Sequence, residues 1–288
     1  MKEGIITKGV GGTYEVQTDS AVLSCTLRGR LRLRDDRVLV GDRVEVSLLP
    51  GDGGRGVVEN ILPRHSELVR PRIANVNQVA VVFAVENPPP NFLLLDRILV
   101  QAELLQLSSV VVINKGDLQP EVAQKLAQVY SSIPYPTVVT SVIADQGLDR
   151  FRELLRGKIT TLAGPSGVGK SSLLNALDPS LSLETGMVSA KAQRGRHTTR
   201  SVQLISLGDG YVADTPGFSQ LTLSADQEGE LQYAFPEFLP HIEGCQFRGC
   251  LHRHEPGCAV KRAVEQAEVL PRRYQHYLTL LEEAKPRY

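Results

Sequence analysis

The sequence lacks most of the features that mark a secreted or membrane-spanning protein. It has no tryptophan and only four cysteines among 288 residues, and 32 acidic residues balance its 32 basic ones. Its longest strongly apolar run is VAVVFAV at 79–85, far below the roughly 18 residues that a membrane-spanning helix needs. The N-terminal segment MKEGIITKGV lacks the apolar stretch of a signal peptide. We therefore expect a cytoplasmic globular protein with no membrane partner, in which any nucleic-acid contact uses local basic patches.

The length allows for two domains of about 150 residues, or for two and a smaller third. The first part of the chain consists of short runs of strand-forming residues separated by turn residues, a pattern that favours a small β-barrel. The predicted strands of this barrel are 13–18, 21–28, 30–34, 43–49 and 56–61.

From residue 74 onward, apolar runs alternate with helical stretches, which is typical of a parallel sheet with helices on its faces. The predicted strands are 76–85, 109–113, 137–140, 159–163, 201–207 and 211–213. The predicted helices are 91–106, 119–131, 148–156 and 274–284. The chain is thus expected to be α/β and multidomain, with a barrel at 1–72, a central domain at 73–220 and a helical Cys/His module at 221–288.

Residues 164–171, GPSGVGKS, match the phosphate-binding pattern GxxxxGK[ST] between a predicted strand and a helical segment. In such a loop, backbone N–H groups cradle phosphates at the N-terminus of the helix. Lys170 is expected to reach the β- and γ-phosphates, and the Ser171 hydroxyl to ligate Mg²⁺. The predicted phosphate-contacting residues are Gly164, Ser166, Gly167, Val168, Gly169, Lys170, Ser171 and Ser172.

A second element on the phosphate side is DTPG at 214–217, directly after the predicted strand 211–213. Asp214 stands at the strand end, where a carboxylate can approach Mg²⁺, and the Gly217 N–H can then meet the γ-phosphate. The same tetrapeptide is also compatible with an ordinary turn. The phosphate loop upstream favours the nucleotide-binding interpretation.

The tetrapeptide NKGD at 114–117 follows the predicted strand 109–113 and indicates which base is bound. The Asp117 carboxylate can accept hydrogen bonds from the ring N–H and the exocyclic amine of guanine, whereas adenine offers neither donor in that arrangement. The pattern is weak in isolation, because strand ends are often polar. TSV at 140–142 ends the next predicted strand, where backbone N–H groups can meet the guanine O6. The predicted base-side residues are Asn114, Lys115, Asp117 and Ser141.

Together these motifs resemble those of a translation-factor-type GTPase in a changed order. An ordinary GTPase presents the phosphate loop first and NKxD late, whereas here NKGD and TSV precede GPSGVGKS, the segment GRHTT at 195–199 and DTPG. This order resembles a circularly permuted GTPase, in which helix 148–156 joins the phosphate-loop strand through a short connection. Opening the chain after DTPG releases two ends, which carry the extra modules.

With a barrel before the permuted domain and a Cys/His cluster after it, the whole chain resembles the RsgA (YjeQ) family of small ribosomal subunit biogenesis GTPases. The resemblance implies an N-terminal OB-type β-barrel, a central circularly permuted P-loop GTPase domain and a C-terminal helical zinc-binding module. It also implies a GTP hydrolase that binds GTP and GDP, the small ribosomal subunit and its rRNA, and acts in late subunit maturation with stimulation by that subunit. We expect a monomer with one structural zinc ion, and with magnesium bound alongside GTP.

Phe218 follows DTPG, where many GTPases carry the glutamine that orients the attacking water. An apolar side chain cannot do this, so we expect slow hydrolysis unless another residue or a partner helps. His197 is the candidate, because an imidazole can orient or deprotonate water near neutral pH; a solvated or RNA-contacting histidine is the alternative. Thr199, or its neighbour Thr198, is expected to complete the Mg²⁺ shell. Lys170, His197 and Thr199 form the predicted catalytic set.

Three of the four cysteines lie within a 14-residue segment, in the pattern Cys245-x₄-Cys250-x-His252-x₅-Cys258. Three thiolates and one imidazole make a closed tetrahedral set for structural Zn²⁺. His254 is an alternative to His252 as the fourth ligand, and the family pattern favours His252. Free cytosolic thiols are the other interpretation.

Basic residues cluster in three places that offer RNA contacts. Alternate arginines on the predicted strand 30–34 would share one face, able to follow a phosphate backbone or simply to remain solvated. A basic loop around His197 would couple RNA contact to the nucleotide state. In the C-terminal module acidic residues outnumber basic ones, so any RNA contact there is local. The three groups are Arg28, Arg30, Arg32 and Arg34; Lys191, Arg194, Arg196 and Arg200; and Arg248, Arg253, Lys261 and Arg262.

Two other functions are compatible with the motifs. One is an RNA-binding module for which the nucleotide is a conformational ligand and hydrolysis is incidental, an alternative that Phe218 favours. The other is an ATPase with a zinc-borne DNA-binding tail. Asp117 argues against the ATPase, because adenine lacks the two donors that its carboxylate would accept.

Overall fold

The computed structural model describes residues 1–32, 38–49, 54–69, 72–183, 202–213 and 227–285. The chain divides into two compact units. The first comprises Met1–Gln78, Asp149–Leu162 and Leu174–Phe218, and the second comprises Val79–Leu148, Ala163–Leu173 and Ser219–Tyr288. In these described ranges, no helix has both the length and the apolar character needed to cross a membrane.

The first unit contains a closed five-stranded barrel with the strand order β1-β2-β3-β5-β4. Its strands are β1 (Lys2–Val10), β2 (Thr13–Thr18), β3 (Val22–Leu27), β4 (Arg43–Leu48) and β5 (Arg55–Ile61). Alternate residues of a strand point to opposite faces, and the buried side chains of Ile6, Val16, Cys25 and Val44 meet in the barrel core. The predicted barrel is therefore confirmed, together with four of its five predicted strands.

Strand β1 was not predicted, because its glycines and lysines are more typical of a loop. Gly4 lies opposite Thr18 of β2, and a Cβ at Gly4 would lie 2.6 Å from Val16 Cγ1 and 2.7 Å from the Gln17 carbonyl oxygen. The close approach of β2 therefore requires this glycine within the strand. β1 closes the barrel, since it pairs antiparallel with both β2 and β4.

The predicted barrel strand 30–34 is wrong where the structure describes it, because Gly29–Arg32 form a short helix, α1. Residues two positions apart in a helix are rotated by about 200°, so the alternation that would place arginines on one face of a strand does not apply to Gly29–Arg32. Arg28 Nη1 donates to the Glu59 carboxylate at 2.9 Å, and Arg30 Nη2 donates to the Glu59 carbonyl oxygen at 2.9 Å. Two arginines of the predicted RNA-facing stripe are thus paired within the barrel.

A six-stranded sheet has the order β10-β9-β8-β11-β13-β12. Its strands are β8 (Gln78–Ala84), β9 (Ser108–Asn114), β10 (Thr137–Val139), β11 (Ile159–Ala163), β12 (Leu204–Leu207) and β13 (Gly210–Ala213). β9 pairs in parallel with β10, and β11 with β13, whereas β12 and β13 form an antiparallel hairpin. Every residue of β8 and β11 is buried, as expected for strands covered on both faces. The predicted mostly parallel sheet is confirmed.

The four predicted helices of this part of the chain and of the C-terminal segment are present, each within three residues of its predicted ends, together with three further helices for which no bounds were predicted. They are α2 (Phe92–Leu104), α3 (Pro120–Ser132), α4 (Leu148–Leu155), α5 (Lys170–Leu177), α6 (Leu239–Ile242), α7 (Ala259–Glu265) and α8 (Pro271–Glu283). Local signals set their starts: the Asn91 side chain accepts the Leu94 N–H at 3.0 Å, and Pro120 begins α3.

The barrel is joined to β8 through a hairpin of two three-residue strands, β6 (Glu67–Val69) and β7 (Arg72–Ala74). Arg64 fastens the chain just before this hairpin. Its Nε and Nη2 donate to the two oxygens of the fully buried Asp42 carboxylate at 2.6 and 2.9 Å, and its Nη1 donates to Glu67 at 2.6 Å. Asp42 also accepts the Leu39 N–H at 2.7 Å. The junction is therefore held by a paired buried carboxylate.

We expect Arg64→Gln to lower the free energy of unfolding by about 2–3 kcal/mol, because the change leaves the buried Asp42 carboxylate without its cation. The matched control is Arg72→Gln. Arg72 is half exposed and lies 3.8 Å from Glu67, and removing such a surface pair costs less than about 1 kcal/mol. Urea unfolding of both variants gives the comparison, and equal losses would contradict the importance of the buried pair.

An aromatic core supports the C-terminal segment within the second unit. Phe235 and Phe238 stack with their ring centroids 5.0 Å apart, and the Tyr277 ring meets both edge-on at 5.3 and 5.1 Å. Phe238 belongs to a 3-10 turn, Pro236–Phe238, whereas Tyr277 belongs to α8. The same core cluster includes Val100 of α2, so the C-terminal segment packs against α2 within the second unit.

Candidate nucleotide-binding site and metal centre

The loop at 164–169 joins β11 to α5 and has a backbone that only glycine accommodates at two of its positions. Gly164 has a φ of +139°, and a Cβ there would lie 2.0 Å from the Val82 carbonyl oxygen. Gly169 has a φ of +97°, and its Cβ would lie 2.4 Å from Asn114 Nδ2. The sequence GPSGVGKS therefore folds into a tight loop whose N–H groups precede a helix, the arrangement that binds phosphate.

Lys170 begins α5, and its ammonium group lies over this loop. Lys170 Nζ donates to the carbonyl oxygens of Gly164 and Pro165, at 2.8 Å in both cases. Ser171 and Ser172 follow in the first turn of α5 and are half-buried. A cation, hydroxyl groups and a helix N-terminus are thereby concentrated at one end of β11, where they suit a magnesium-bound polyphosphate.

The NKGD segment lies beside the same loop, although about 50 residues separate the two in the sequence. Asn114 is buried at the end of β9, and its Nδ2 donates to the Val168 carbonyl oxygen at 2.8 Å. Lys115 Nζ donates to the Gly167 carbonyl oxygen at 2.9 Å and to the Asn87 carbonyl oxygen. The structure therefore brings the base-side and phosphate-side motifs into one site within the second unit.

Asp117 and Ser141 meet at the outer end of this site. The Ser141 hydroxyl donates to Asp117 Oδ1 at 2.5 Å, and the same hydroxyl accepts the Ala144 N–H at 3.0 Å. Gly116 allows the NKGD turn to pack closely, since a Cβ there would lie 2.5 Å from Val139 Cγ1. The carboxylate is thereby fixed with an oxygen available to accept from a donor pair on a purine edge.

Several predicted site residues lie outside the described residues, so the structure places neither their side chains nor their loops. They include the catalytic candidates His197 and Thr199, the alternative Thr198, the DTPG residues Asp214 and Gly217, Phe218, and the basic residues Arg34, Lys191, Arg194, Arg196 and Arg200.

The second cluster of reactive side chains is the predicted metal site. The candidate ligand atoms of Cys245, Cys250, His252 and Cys258 all lie within 4.8 Å of one another. His252 Nδ1 lies 3.3 Å from Cys258 Sγ and 3.6 Å from Cys245 Sγ, and the two sulfur atoms are 4.0 Å apart. The cluster contains His252 and not the exposed His254. Three sulfur atoms and one ring nitrogen converge as a tetrahedral metal site requires.

The surroundings of the cluster orient the imidazole and favour a bound cation. His252 is fully buried, and its Nε2 lies 2.9 Å from Gln232 Oε1, which leaves Nδ1 facing the sulfur atoms. Burial lowers the pKa of His252 and raises that of Cys250 to about 12. Burial by itself thus disfavours charged groups here, and thiolate ligands require the compensating charge of a metal ion.

Glu255 organises the loop that carries the ligands. Its Oε1 accepts the Leu251 N–H at 2.9 Å, and its Oε2 accepts the N–H groups of Arg253 and His254 at 2.8 and 3.0 Å. Burial alone would raise the pKa of Glu255, but these backbone hydrogen bonds lower it to about 2. The stabilisation is therefore fully present above the usual carboxyl pKa, and it is lost as the pH falls towards about 2.

We expect Glu255→Gln to accelerate metal release to a chromogenic chelator about tenfold at neutral pH. Three backbone N–H groups point at the two carboxylate oxygens, and in either orientation an amide turns its N–H₂ group towards at least one of them, which removes about 1.5 kcal/mol of charge-assisted hydrogen bonding. Glu265→Gln on the exposed side of α7 is the matched control and should release metal at the wild-type rate. A release rate unchanged by Glu255→Gln would mean that this carboxylate does not hold the loop.

Several residues that complete the two sites are recognisable only in the folded structure. Thr140 Oγ1 donates to Asn114 Oδ1 at 3.0 Å and so fixes which way the Asn114 amide points. Asn87 supplies one of the carbonyl oxygens that hold Lys115. Gln232 orients His252 from a 3-10 turn 20 residues earlier in the chain. Each acts through contacts between distant segments, and neither residue type nor spacing marks it.

Comparison with known proteins places these features in a family. A model of the RsgA GTPase family matches residues 61–224, and a model of the RsgA N-terminal domain matches residues 3–58. The chain is 48% identical to the small ribosomal subunit biogenesis GTPase RsgA of Moorella thermoacetica, over 98% of this chain and 97% of that protein. It is 47% identical to the RsgA of Carboxydothermus hydrogenoformans, with the same coverage of both chains.

Two solved structures share the fold over the full length of the chain. YjeQ from Thermotoga maritima superposes with a TM-score of 0.84 at 37% sequence identity, covering 100% of this chain and 99% of that chain. YloQ, described as a circularly permuted GTPase, superposes with a TM-score of 0.84 at 38% identity, covering 100% and 97%. These likenesses confirm the predicted resemblance and the predicted fold class.

Proposed function

Because this chain belongs to the RsgA GTPase family, we propose that the GTP it hydrolyses serves late assembly of the small ribosomal subunit. The relatives are named as small ribosomal subunit biogenesis GTPases. The observation that carries the proposal is the pair of contacts from Asn114 and Lys115 to the loop at 164–169. They support the view that a base-reading carboxylate and a phosphate loop belong to one site, in permuted order along the chain.

In this proposal, Asp117 accepts from the guanine ring N–H and exocyclic amine, while the backbone near Ser141 meets O6. Asn114 and Lys115 hold the phosphate loop, whose N–H groups and Lys170 bind the β- and γ-phosphates. Ser171, Asp214 and Thr199 complete the Mg²⁺ shell, and Gly217 meets the γ-phosphate. His197 orients the attacking water, because Phe218 cannot. The proposal thus gives each of these residues a specific role in the GTPase reaction of the family.

We also propose that the Cys/His cluster holds one zinc ion in a structural role. Three cysteines and one histidine leave no open ligand position on a tetrahedral ion, so the site supports folding and carries no reaction.

The proposed domain division is a barrel at 1–72, the GTPase domain at 73–220 and the zinc module at 221–288. The partner is the small ribosomal subunit with its rRNA, met by a monomer in the cytoplasm.

The test measures affinity for GTP and ATP, and then GTP turnover with and without purified small ribosomal subunits. We expect GTP to bind at least 10²-fold more tightly than ATP, and turnover to rise on addition of subunits. Unchanged turnover would overturn the ribosomal partner, and equal affinities would overturn the guanine site. His197→Ala should abolish the stimulated rate; if stimulation survives in full, hydrolysis is activated by the subunit and not by this histidine.

A further inference from the structure

A cluster of charged side chains is buried where α8 packs on α2, within the second unit. Asp96 of α2 and Arg273 of α8 are both fully buried. Arg273 Nη1 donates to Asp96 Oδ1 at 2.8 Å, while its Nε and Nη2 donate to the two oxygens of Glu237 at 2.6 and 2.9 Å. His276 Nδ1 lies 2.5 Å from Asp96 Oδ2. Buried charges are tolerated only when they are paired and hydrogen-bonded, so this cluster fixes one relative position of α8 and α2.

Two contacts at the rim reinforce the same helix pair. Arg97 Nη1 and Nη2 donate to the two oxygens of Glu283 at 2.5 and 2.7 Å. The Arg272 guanidinium lies 3.9 Å from the centroid of the Phe92 ring, in the first turn of α2. The contacts between α8 and α2 therefore extend from the first turn of α2 to its middle.

The same turns of α8 hold the loop that carries the metal ligands. Tyr274 Oη donates to the His252 carbonyl oxygen at 2.7 Å, and Tyr277 Oη donates to the Leu251 carbonyl oxygen at 2.7 Å. These tyrosines immediately follow the two residues of α8 that bind Asp96. Because one rigid turn makes both sets of contacts, the loop cannot shift without straining the contact to α2.

The start of α2 lies one short segment away from the nucleotide-binding residues. Asn91 caps α2, and four residues earlier the Asn87 carbonyl oxygen accepts from Lys115 Nζ. Lys115 Nζ also holds the Gly167 carbonyl oxygen of the phosphate loop at 2.9 Å. A continuous series of hydrogen bonds and packed elements therefore runs from the metal loop through α8 and α2 to the phosphate loop.

We propose that α8 couples the metal centre to the nucleotide site, with Arg273 and His276 acting as positioning residues for α2. The inference rests on the proposed function and deepens it: metal in the Cys/His cluster strengthens binding of a guanine nucleotide, and the nucleotide slows loss of the metal. Coupling of two binding equilibria is reciprocal, so each ligand must change the affinity for the other by the same factor.

The experiment uses the full chain loaded with Zn²⁺, and the same chain after Zn²⁺ is stripped by a chelator. Binding of fluorescent GDP is measured for both, and Zn²⁺ release to a chromogenic chelator is measured with and without saturating GDP. We expect removal of Zn²⁺ to weaken GDP binding about fivefold or more, and GDP to slow Zn²⁺ release. Equal GDP affinities of the Zn²⁺-loaded and the Zn²⁺-stripped wild-type chain would overturn the coupling.

A double variant that keeps both Asp96 and Arg273, Arg97→Met with His276→Ala, separates coupling from simple folding. The Arg97 side chain is 20% exposed and the His276 side chain 15% exposed, so neither change removes a fully buried charge. The fully buried ion pair of Asp96 and Arg273 keeps both of its residues. We expect this variant to keep its Zn²⁺, to bind GDP more weakly, and to show no further change in GDP affinity when Zn²⁺ is stripped. Gln275→Ala on the exposed side of α8 is the control and should behave as wild type.

The outcomes distinguish this inference from the function on which it rests. Failure of the Zn²⁺-loaded wild type to bind GDP at all would overturn the guanine-nucleotide assignment itself. Tight GDP binding with an unchanged Zn²⁺ dependence in the double variant would overturn only the role of the α8 contacts. A thermal melt of each variant shows whether its loss of affinity reflects global unfolding.

Discussion

Asp117→Asn should bind GDP roughly 10³-fold more weakly than the wild type, and should bind xanthosine diphosphate more tightly than the wild type does. The carboxylate accepts from both donors on the guanine edge, whereas an amide directs its own N–H₂ towards one of them. Xanthine carries a carbonyl oxygen where guanine carries its exocyclic amine, so the amide regains a partner. Competition against fluorescent GDP measures both affinities.

The geometry of the site makes this substitution a sharp test. Ser141 holds Asp117 in place through a 2.5 Å hydrogen bond, and an asparagine can accept the same bond while changing only the second atom. Asp145→Asn in the neighbouring exposed loop is the matched control, since it makes the same chemical change on an exposed side chain outside the NKGD segment. If Asp117→Asn keeps the wild-type preference for GDP over xanthosine diphosphate, as the control should, then Asp117 does not bind the guanine base.

Cys258→Ser should release the metal and unfold the C-terminal module. Cys258 is buried, and its sulfur lies within 4.0 Å of both Cys245 Sγ and His252 Nδ1. A hydroxyl is a far poorer ligand than a thiolate, and the apparent binding free energy of a structural zinc ion reaches about 10–16 kcal/mol in small zinc domains. We therefore expect metal content to fall from one ion per chain to nearly none, and rapid proteolysis after residue 227.

Cys25→Ala is the control, because it removes a cysteine that is not part of the proposed metal site. Cys25 is fully buried in the barrel, far in sequence from the metal-binding loop, and burial raises the pKa of its thiol to about 11. Its loss should leave a small cavity and a modest loss of stability, with metal content unchanged. Metal content measured by mass spectrometry or absorption decides between the two variants. Full metal content in Cys258→Ser would show that the cluster is not the metal site.

The sequence predicted those parts of the fold that follow from periodicity. Buried strands such as β8 and β11 are unbroken apolar runs, and their strand character needs no tertiary information. Strand β1 was missed, because Gly4 serves a close approach that only the folded barrel reveals. The short strands β6 and β7 have three residues each, too few for a pattern. The segment at 29–32 alternates like a strand but folds as a helix.

The candidate sites divide in the same way. Motif residues such as Asp117, Lys170 and Cys258 were predicted, because their chemistry requires a fixed type at a fixed spacing. Thr140 and Gln232 were not, since each orients another side chain by a single hydrogen bond from a distant segment. The buried pair of Asp96 and Arg273 was also not predicted, because nothing in the sequence indicates that an acid in one helix pairs with a base in a distant one.

The pair of Asp96 and Arg273 also bears on the nascent chain. The two residues are 177 positions apart, so at translation rates of 5–20 residues per second Arg273 is made about 10–35 s after Asp96. During that interval α2 carries a carboxylate that cannot enter an apolar core without its counter-ion. Until α8 is made, packing this face of α2 costs the free energy of burying or protonating an unpaired carboxylate, so the stability of the core around α2 depends on a residue synthesised near the end of the chain.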